Sequence, residues 1–552
     1  MKKPLALILA LTLALGCLSV CPVSAEPSAL KIAVASDLHY NLPEEELAWL
    51  TSDPVFGYAN RRAAMENESG FLIDAFLSDA AGAGADYVLI SGDLADNGRS
   101  VPEEHYAVRD KLLAFERETG IEVFVIDGNH DLGDGAATDV AAFQAIYRDL
   151  GYDHALSLRE ADCSYTADLG ETIRLIALDS CDPTVSTADG MSAEKVLWVL
   201  EEAKRAKDEG RTPLLMMHHN LLDHMPAQRL FSRNFIVRAH YTTAELFADA
   251  GIGIVLSGHE HCSDAAICRS AALNEIRDFA TTSLTMYPLS YRLFTFTGGD
   301  VSYSSRTLQT IDTEALSRAV NGYTDAQLSL MDADLNAYSK AFLKAGVVYR
   351  LRLGLSAEKS GLTPGTPLYE LLDAVYLRLD EVLSMPMDEA VALAAVYGIE
   401  VPVTPYDSGW DLAAEFVAAH YAGSERFALD SPEVTALLRL ASLILKDVPA
   451  SALESLFSEA VSSIETDALA SAKALAKRVF GRINPGEVLV ALLVSDLVYG
   501  FANDSDGVDD NNGVFSLAAP KTETLTLKLR AFFDRLRRLF ENAAAIFRSL
   551  WT

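Results

Sequence analysis

No two of the six cysteines are spaced CxxC, which leaves no place for a zinc ribbon or a thioredoxin-like centre. No internal repeat of solenoid length and no low-complexity tract is present, so a stacked-repeat architecture is excluded. Basic residues are scarce: Lys and Arg number 45 against 78 Asp and Glu, a formal net charge of -33. A surface of that sign repels polyanions, and nucleic acid is not an expected partner. The acidic, turn-rich stretch NDSDGVDDNNG (Asn503–Gly513) lacks the spacing of an EF-hand calcium loop and reads as a solvated linker.

The N-terminal apolar run, Leu5–Leu15, is too short for a comfortable membrane span. It follows Lys2 and Lys3 and precedes the small residues Val23-Ser24-Ala25, so residues 1–25 read as a signal peptide. A secreted product is the expectation. Leu15-Gly16-Cys17 offers the alternative of lipoprotein anchoring at the cell envelope, weakened by Ala14 where such sites usually carry Leu. Beyond the leader remain Cys163, Cys181, Cys262 and Cys268. Three pairings are open, and Cys262–Cys268 is the easiest loop to close.

With 552 residues, half of them hydrophobic, two or more domains are expected. From Leu30 to about Leu308, short apolar runs alternate with amphipathic stretches. Leu30–Ser36, Tyr87–Ser91, Val123–Ile126, Ile173–Ser180, Leu214–Met217 and Ile252–Ser257 read as buried strands. Gly70–Ala83, Glu103–Thr119 and Ser192–Glu209 read as helices between them, and a run of antiparallel strands follows Gly258. This pattern predicts a layered α/β domain over 30–308. Residues 312–502 read as a mostly α-helical domain, with helices at Ala326–Phe342, Leu368–Tyr397, Ser431–Leu445, Ala452–Ile464 and Pro485–Tyr499. An acidic linker (503–520) and a basic amphipathic helix (521–552) complete the chain.

The polar residues that follow the apolar runs carry the chemistry. SDLH supplies Asp37 and His39, and GDLADNG supplies Asp93. GNHD supplies Asn129, His130 and Asp131, MMHHN supplies His218 and His219, and GHEH supplies His259 and His261. Singly, each is an ordinary turn or a satisfied histidine. Together, five such motifs after five strands can converge, because ligands collect at the carboxyl ends of strands in an α/β sheet. The neighbouring glycines permit tight turns that bring backbone and ligands close.

This ordered set resembles the calcineurin-like metallophosphoesterase family over roughly Leu30–Leu308, and DLH, GDL…NG and MHH look closest to its bacterial phosphodiesterase-like branch. The resemblance implies two β-sheets flanked by helices, and two divalent metal ions. Asp37, His39 and His261 would hold the first, Asn129, His218 and His259 the second, and Asp93 would bridge them. Oxygen and imidazole donors without thiolate suit Mn, Fe, Zn or Ni and do not choose among them. Such a pair of ions activates a water and clamps phosphoryl oxygens. The matching family histidine for His130 is a leaving-group residue instead of a ligand, with Asp131 expected to accept its other N–H. His219 is expected to support the site, and Asp96 and Asn97 to shape the turn after Asp93.

The implied activity is hydrolysis of a small phosphodiester such as a cyclic nucleotide. A phosphomonoesterase or nucleotidase, and a non-catalytic scaffold on the same fold, are the alternatives. Arginines at Asn60–Arg62, and at Arg229, Arg233 and Arg238, suit a phosphate partner but are more often surface charges. The last segment, Lys521–Thr552, has seven Lys or Arg against three Asp or Glu and an apolar face from Leu529 to Leu550. It is expected to dock on the acidic helical domain or to lie on an anionic membrane surface.

Overall fold

The computed structural model describes residues 29–59, 62–184, 189–225, 228, 233–354, 363–428, 430–445, 501 and 508–517. The expected leader, the helices at Ala452–Ile464 and Pro485–Tyr499, and the basic C-terminal helix lie outside them. Thirteen strands are described. They are β1 (Leu30–Ala35), β2 (Tyr87–Ser91), β3 (Glu122–Ile126), β4 (Ser157–Leu158), β5 (Tyr165–Leu169), β6 (Ile173–Leu178) and β7 (Thr212–Met217), followed by β8 (Ile254–Ser257), β9 (Asp264–Arg269), β10 (Glu275–Ala280), β11 (Ser290–Thr297), β12 (Asp300–Thr307) and β13 (Asn512–Ser516).

They form two mixed sheets, in the orders β13-β12-β11-β1-β2-β3 and β4-β5-β6-β7-β8-β10-β9. Strands β1, β2 and β3 run parallel, with Val34 beside Leu89 and Leu89 beside Phe124. Strands β6, β7, β8 and β10 are likewise parallel neighbours. The carboxyl ends of the parallel strands in both sheets therefore carry the motif-bearing loops.

Period-two alternation explains why the second sheet sits between two apolar layers. Leu175, Ala177, Leu214, Met216, Ile254 and Leu256 point into the core shared with β1–β3. Ile176, Leu178, Leu215, Met217 and Val255 point the other way, against Val199, Ala203 and Phe247 of the helices Ala193–Asp208 and His240–Ala250. The first sheet is covered by Leu72, Ile73 and Phe76 of helix Ser69–Gly82 and by Val108 and Leu112 of helix Pro102–Thr119. Each such fully buried aliphatic side chain contributes roughly 1.5–3 kcal/mol relative to exposure.

Three boundaries differ from the expectation. The helix expected at Ala326–Phe342 is two, Asp325–Ala333 and Leu335–Gly354, because Asp334 is extended (φ -162°). The one expected at Leu368–Tyr397 is also two, Pro367–Ser384 and Met387–Val396. Pro386 has no N–H to donate and forces the preceding residue out of helical backbone. The third correction concerns the acidic linker expected at 503–520. Its described part is no solvated linker, since β13 pairs antiparallel with β12 along its length. Ahead of that strand, Asp510 is buried and its carboxylate accepts from the Ala265 N–H at 3.1 Å. The buried Arg292 guanidinium donates to the Asp510 carbonyl, so a charge near the acidic stretch is met inside the fold.

The helical region has its own core around Leu383, Trp410, Phe416, Val434 and Leu440. A second contact joins it to the sheets: Leu343, Val347, Ala414 and Ala418 pack against Ala63, Ala64 and Met286. Among the described residues, no helix is long and apolar enough to cross a membrane. Cys262 is a buried free thiol, so the short Cys262–Cys268 loop is not closed.

A candidate dinuclear metal centre

The site begins with the loops that leave β1, β2, β7 and β8. Asp37, His39, Asp93, His259 and His261 all have left-handed backbone, with φ between 39° and 68°. Non-glycine residues rarely adopt it, and strain of this kind is held in place by the surrounding structure. Here it folds each turn back so that side chains from separate strands face one point.

Two histidine–carboxylate groups result. In the first, His39 Nε2 lies 3.1 Å from His261 Nε2 and 3.7 Å from Asp37 Oδ1, and His261 Nε2 lies 3.2 Å from Asp37 Oδ1. In the second, His218 Nε2 lies 3.1 Å from both Asn129 Oδ1 and His259 Nδ1. Asp93 Oδ2 stands between them, 3.7 Å from His39 Nε2 and 3.3 Å from His218 Nε2. All seven candidate ligands of the sequence reading are thus brought together.

The hydrogen bonds around these groups leave the inward atoms for an ion. Asp37 Oδ2 accepts from Ser36 Oγ at 2.5 Å and from the His259 N–H at 2.9 Å, while its buried Oδ1 accepts no hydrogen bond and faces the His39 and His261 rings. Asp93 Oδ1 accepts the His130 N–H at 2.8 Å, which turns Oδ2 inward. His218 Nδ1 donates to the Ser91 carbonyl at 2.9 Å, which orients the ring so that Nε2 is the atom facing the centre. His39 Nδ1 lies 3.0 Å from Asp96 Oδ1, the carboxylate–histidine arrangement that orients a metal ligand. An orphaned buried carboxylate oxygen, neutral-capable imidazoles and no thiolate among the donors fit a pair of divalent ions.

Two glycines make the approach possible. A Cβ on Gly258 would lie 1.8 Å from Ser36 Oγ and 2.3 Å from Asp37 Oδ2. On Gly128 it would lie 2.2 Å from Asp93 Oδ1. Neither position has room for a side chain.

The electrostatics follow from packing charges in a dry place. Burial opposes ionisation of Asp93, yet His218, His130 and His39 around it hold its carboxyl well below the usual range. Burial likewise opposes a charged His218, but the Asp93 carboxylate outweighs it and pushes the imidazole up to about 10. His259 is driven the other way, by burial and then by the neighbouring His219 and His218.

His130 occupies a different place. Its side chain is 34% exposed, and its ring meets that of His39 edge-on at 4.8 Å. It comes within the same short reach of His39 and Asp93 that the ligand groups show. Burial would lower its pKa, but the Asp93 and Asp96 carboxylates raise it, favouring a protonated ring.

Asp131 does not orient it, contrary to the sequence expectation. The His130 Nδ1–H donates instead to the Asp96 carbonyl at 2.7 Å. Asp131 is buried beneath the loops, where its carboxylate accepts the N–H groups of Leu94, Ala95 and Gly128. A side chain one residue after His130 points away from it in this turn, and three backbone donors claim both oxygens. Through these three bonds Asp131 shapes the loops that carry Asp93 and Asn129.

Sequence reasoning gave Asp96 too small a part. Besides holding His39, it receives both Nη atoms of Arg62, with Nη2 at 2.6 Å from Oδ2. Its position three residues after Asp93 was the available signal. Ser36 and Arg99, which donates to the Asn129 carbonyl at 3.2 Å, had none. His219 is buried beside the centre, its Nδ1 3.1 Å from Ser180 Oγ, as a supporting residue. Met286, between β10 and β11, brings its Sδ to 3.1 Å from His261 Nδ1, and the helical region packs on Met286 through Leu343, Val347, Ala414 and Ala418, while its Tyr421 carbonyl accepts the Ser263 N–H.

Residues 30–263 match the family model described as calcineurin-like phosphoesterase. No curated protein matches the chain by sequence. Among solved structures, a dimetal phosphatase of Danio rerio is 11% identical, covering 51% of this chain and 97% of its own with a TM-score of 0.37. GAP50, the anchor in the inner membrane complex of Plasmodium, is 9% identical over 54% of this chain and 98% of its own, with a TM-score of 0.31. A conserved protein of Streptococcus pneumoniae, described as a predicted phosphoesterase, is 15% identical over 51% and 90%, with a TM-score of 0.23.

Proposed function

Residues 30–263 form a calcineurin-like phosphoesterase domain, which makes this protein a metal-dependent phosphoesterase, and from that premise we propose that it is an exported phosphodiesterase acting on a small phosphodiester such as a cyclic nucleotide. The observation that carries this reading is Asp93 Oδ2, placed between two histidine groups with His130 beside them. Two divalent ions at these groups supply a water nucleophile at neutral pH and positive charge for the phosphoryl oxygens. The chain's own residues do the rest. Asp37, His39 and His261 would hold one ion, Asn129, His218 and His259 the other, and Asp93 would serve both. Asp96 fixes the His39 ring. His130, protonated at Nε2 and anchored through Nδ1, donates a proton to the departing oxygen. Met286, on which the helical region packs, stands against His261 at the edge of the site.

The test is a hydrolysis panel on the chain from Glu26 onward, chelated and then given Mn, Zn or Ni. Bis-nitrophenyl phosphate and cyclic AMP are expected to be turned over faster than nitrophenyl phosphate. The reverse order establishes the phosphomonoesterase reading, and no turnover with both ions bound establishes a scaffold.

Export and envelope retention rest on the sequence of residues 1–25 and 521–552. The basic amphipathic tail would place its Lys and Arg at anionic head groups. Full-length protein is expected to sediment with anionic vesicles at low salt and to be released at high salt. A chain ending at Pro520 stays in the supernatant. If both chains stay there, the membrane reading is wrong.

A further inference from the structure

Behind the dinuclear centre lies a second group of metal-ligand types. Asp127 directly follows β3 and precedes the GNHD turn. Asp179 and Cys181 follow β6 in the other sheet. All three are buried, and one donor atom from each lies within 4.8 Å of the others. Asp127 is fully buried, and both of its carboxylate oxygens lack any hydrogen-bond partner. A buried carboxyl in that condition is costly whether charged or neutral, because no donor or acceptor replaces lost water. Asp179 is oriented by the Cys181 N–H at 2.8 Å on Oδ1 and the Cys163 N–H at 3.3 Å on Oδ2. Lys195 donates to the Asp179 carbonyl at 2.7 Å and lies 3.4 Å from Oδ1.

We propose that Asp127, Asp179 and Cys181 bind a third divalent cation, of the zinc type, which clamps the two sheets together behind the catalytic ions. The charges close: two carboxylates and a Cys181 thiolate carry three negative charges, Lys195 offsets one, and a divalent ion offsets two. Binding releases the thiol proton and any proton on Asp127 to solvent. A thiolate with carboxylates selects a borderline-soft ion over magnesium or calcium, which take oxygen ligands alone. The ion would fix the chain two residues before Asn129. It would also lie next to His219, whose Nδ1 is 3.9 Å from Cys181 Sγ, and so stiffen the loops that present Asn129 and His218.

The donors of the dinuclear centre include no sulfur, which gives the third ion its own spectroscopic mark. Chelated full-length protein is titrated with cobalt(II) without oxygen. Three equivalents and a thiolate-to-cobalt charge-transfer band are expected. Cys181→Ala should lose the band and one equivalent, Asp127→Asn should lose one equivalent, and Cys262→Ala should keep both. Two equivalents without a band in the unaltered protein overturn the proposal, as does a band that survives Cys181→Ala. Should Cys181→Ala fail to fold, X-ray absorption of the zinc-loaded unaltered protein decides. A sulfur shell at about 2.3 Å supports the site, and nitrogen and oxygen neighbours alone refute it. Because the band reports sulfur, it is unaffected if the hydrolysis panel fails.

Discussion

Asp93→Asn is expected to lose at least one metal equivalent per chain and to lower turnover on the order of a thousandfold or more. The side chain keeps its shape, so the fold is not the cause. Asp93 Oδ1 is already committed to the His130 N–H, and Oδ2 is the atom facing both His39 and His218. An amide in that place removes the negative charge shared by two cation positions. It also puts either an N–H donor where an ion belongs or an oxygen that binds ions weakly. His218 loses the carboxylate that pushes its pKa up to about 10. Metal content by elemental analysis and turnover of bis-nitrophenyl phosphate are measured on the same sample. Two ions and near-normal turnover would sink the dinuclear mechanism.

His130→Ala is expected to keep both ions and to divide substrates by leaving group. Esters of poor leaving groups should slow by about 10²–10⁴-fold, the range for a lost general acid. Nitrophenyl esters should lose much less, because nitrophenolate departs without a proton. The geometry makes the comparison necessary, since His130 comes as close to His39 and Asp93 as a ligand would. Its anchored Nδ1 and half-open ring favour the acid role. Loss of one ion would make it a ligand, and equal losses on good and poor leaving groups would remove the acid role.

The strands that present the site were legible because they are continuous apolar runs that end in a polar motif, with a glycine in the turn after β2, β3 and β8. That pattern marks β1, β2, β3, β7 and β8 without reference to tertiary contacts. Strand β13 was not legible: NGVFS has one buried-looking pair of side chains and sits among acidic residues, and its pairing with β12 is a long-range event. The ligand types were readable from the motifs, but hydrogen-bond direction was not. Asp131 beside His130 suggests a contact, and the turn between them sends the two side chains apart. Asp96 and Arg62 are 34 residues apart in sequence and meet through folding alone.

Strand β13 also bears on how the protein is made. The outer strand of the first sheet comes from residues 512–516, after the whole helical region, while its neighbour β12 ends at Thr307. The first sheet is therefore discontinuous in sequence, with the helical region inserted between its last two strands. A ribosome that has finished β12 has not yet made the segment that covers its open edge, nor Asp510, which receives the buried Arg292. Until then the edge presents unpaired N–H and C=O groups to any passing strand. Completion of the first sheet waits on the last tenth of the polypeptide, so its closing step comes only after nearly all of the chain has been made.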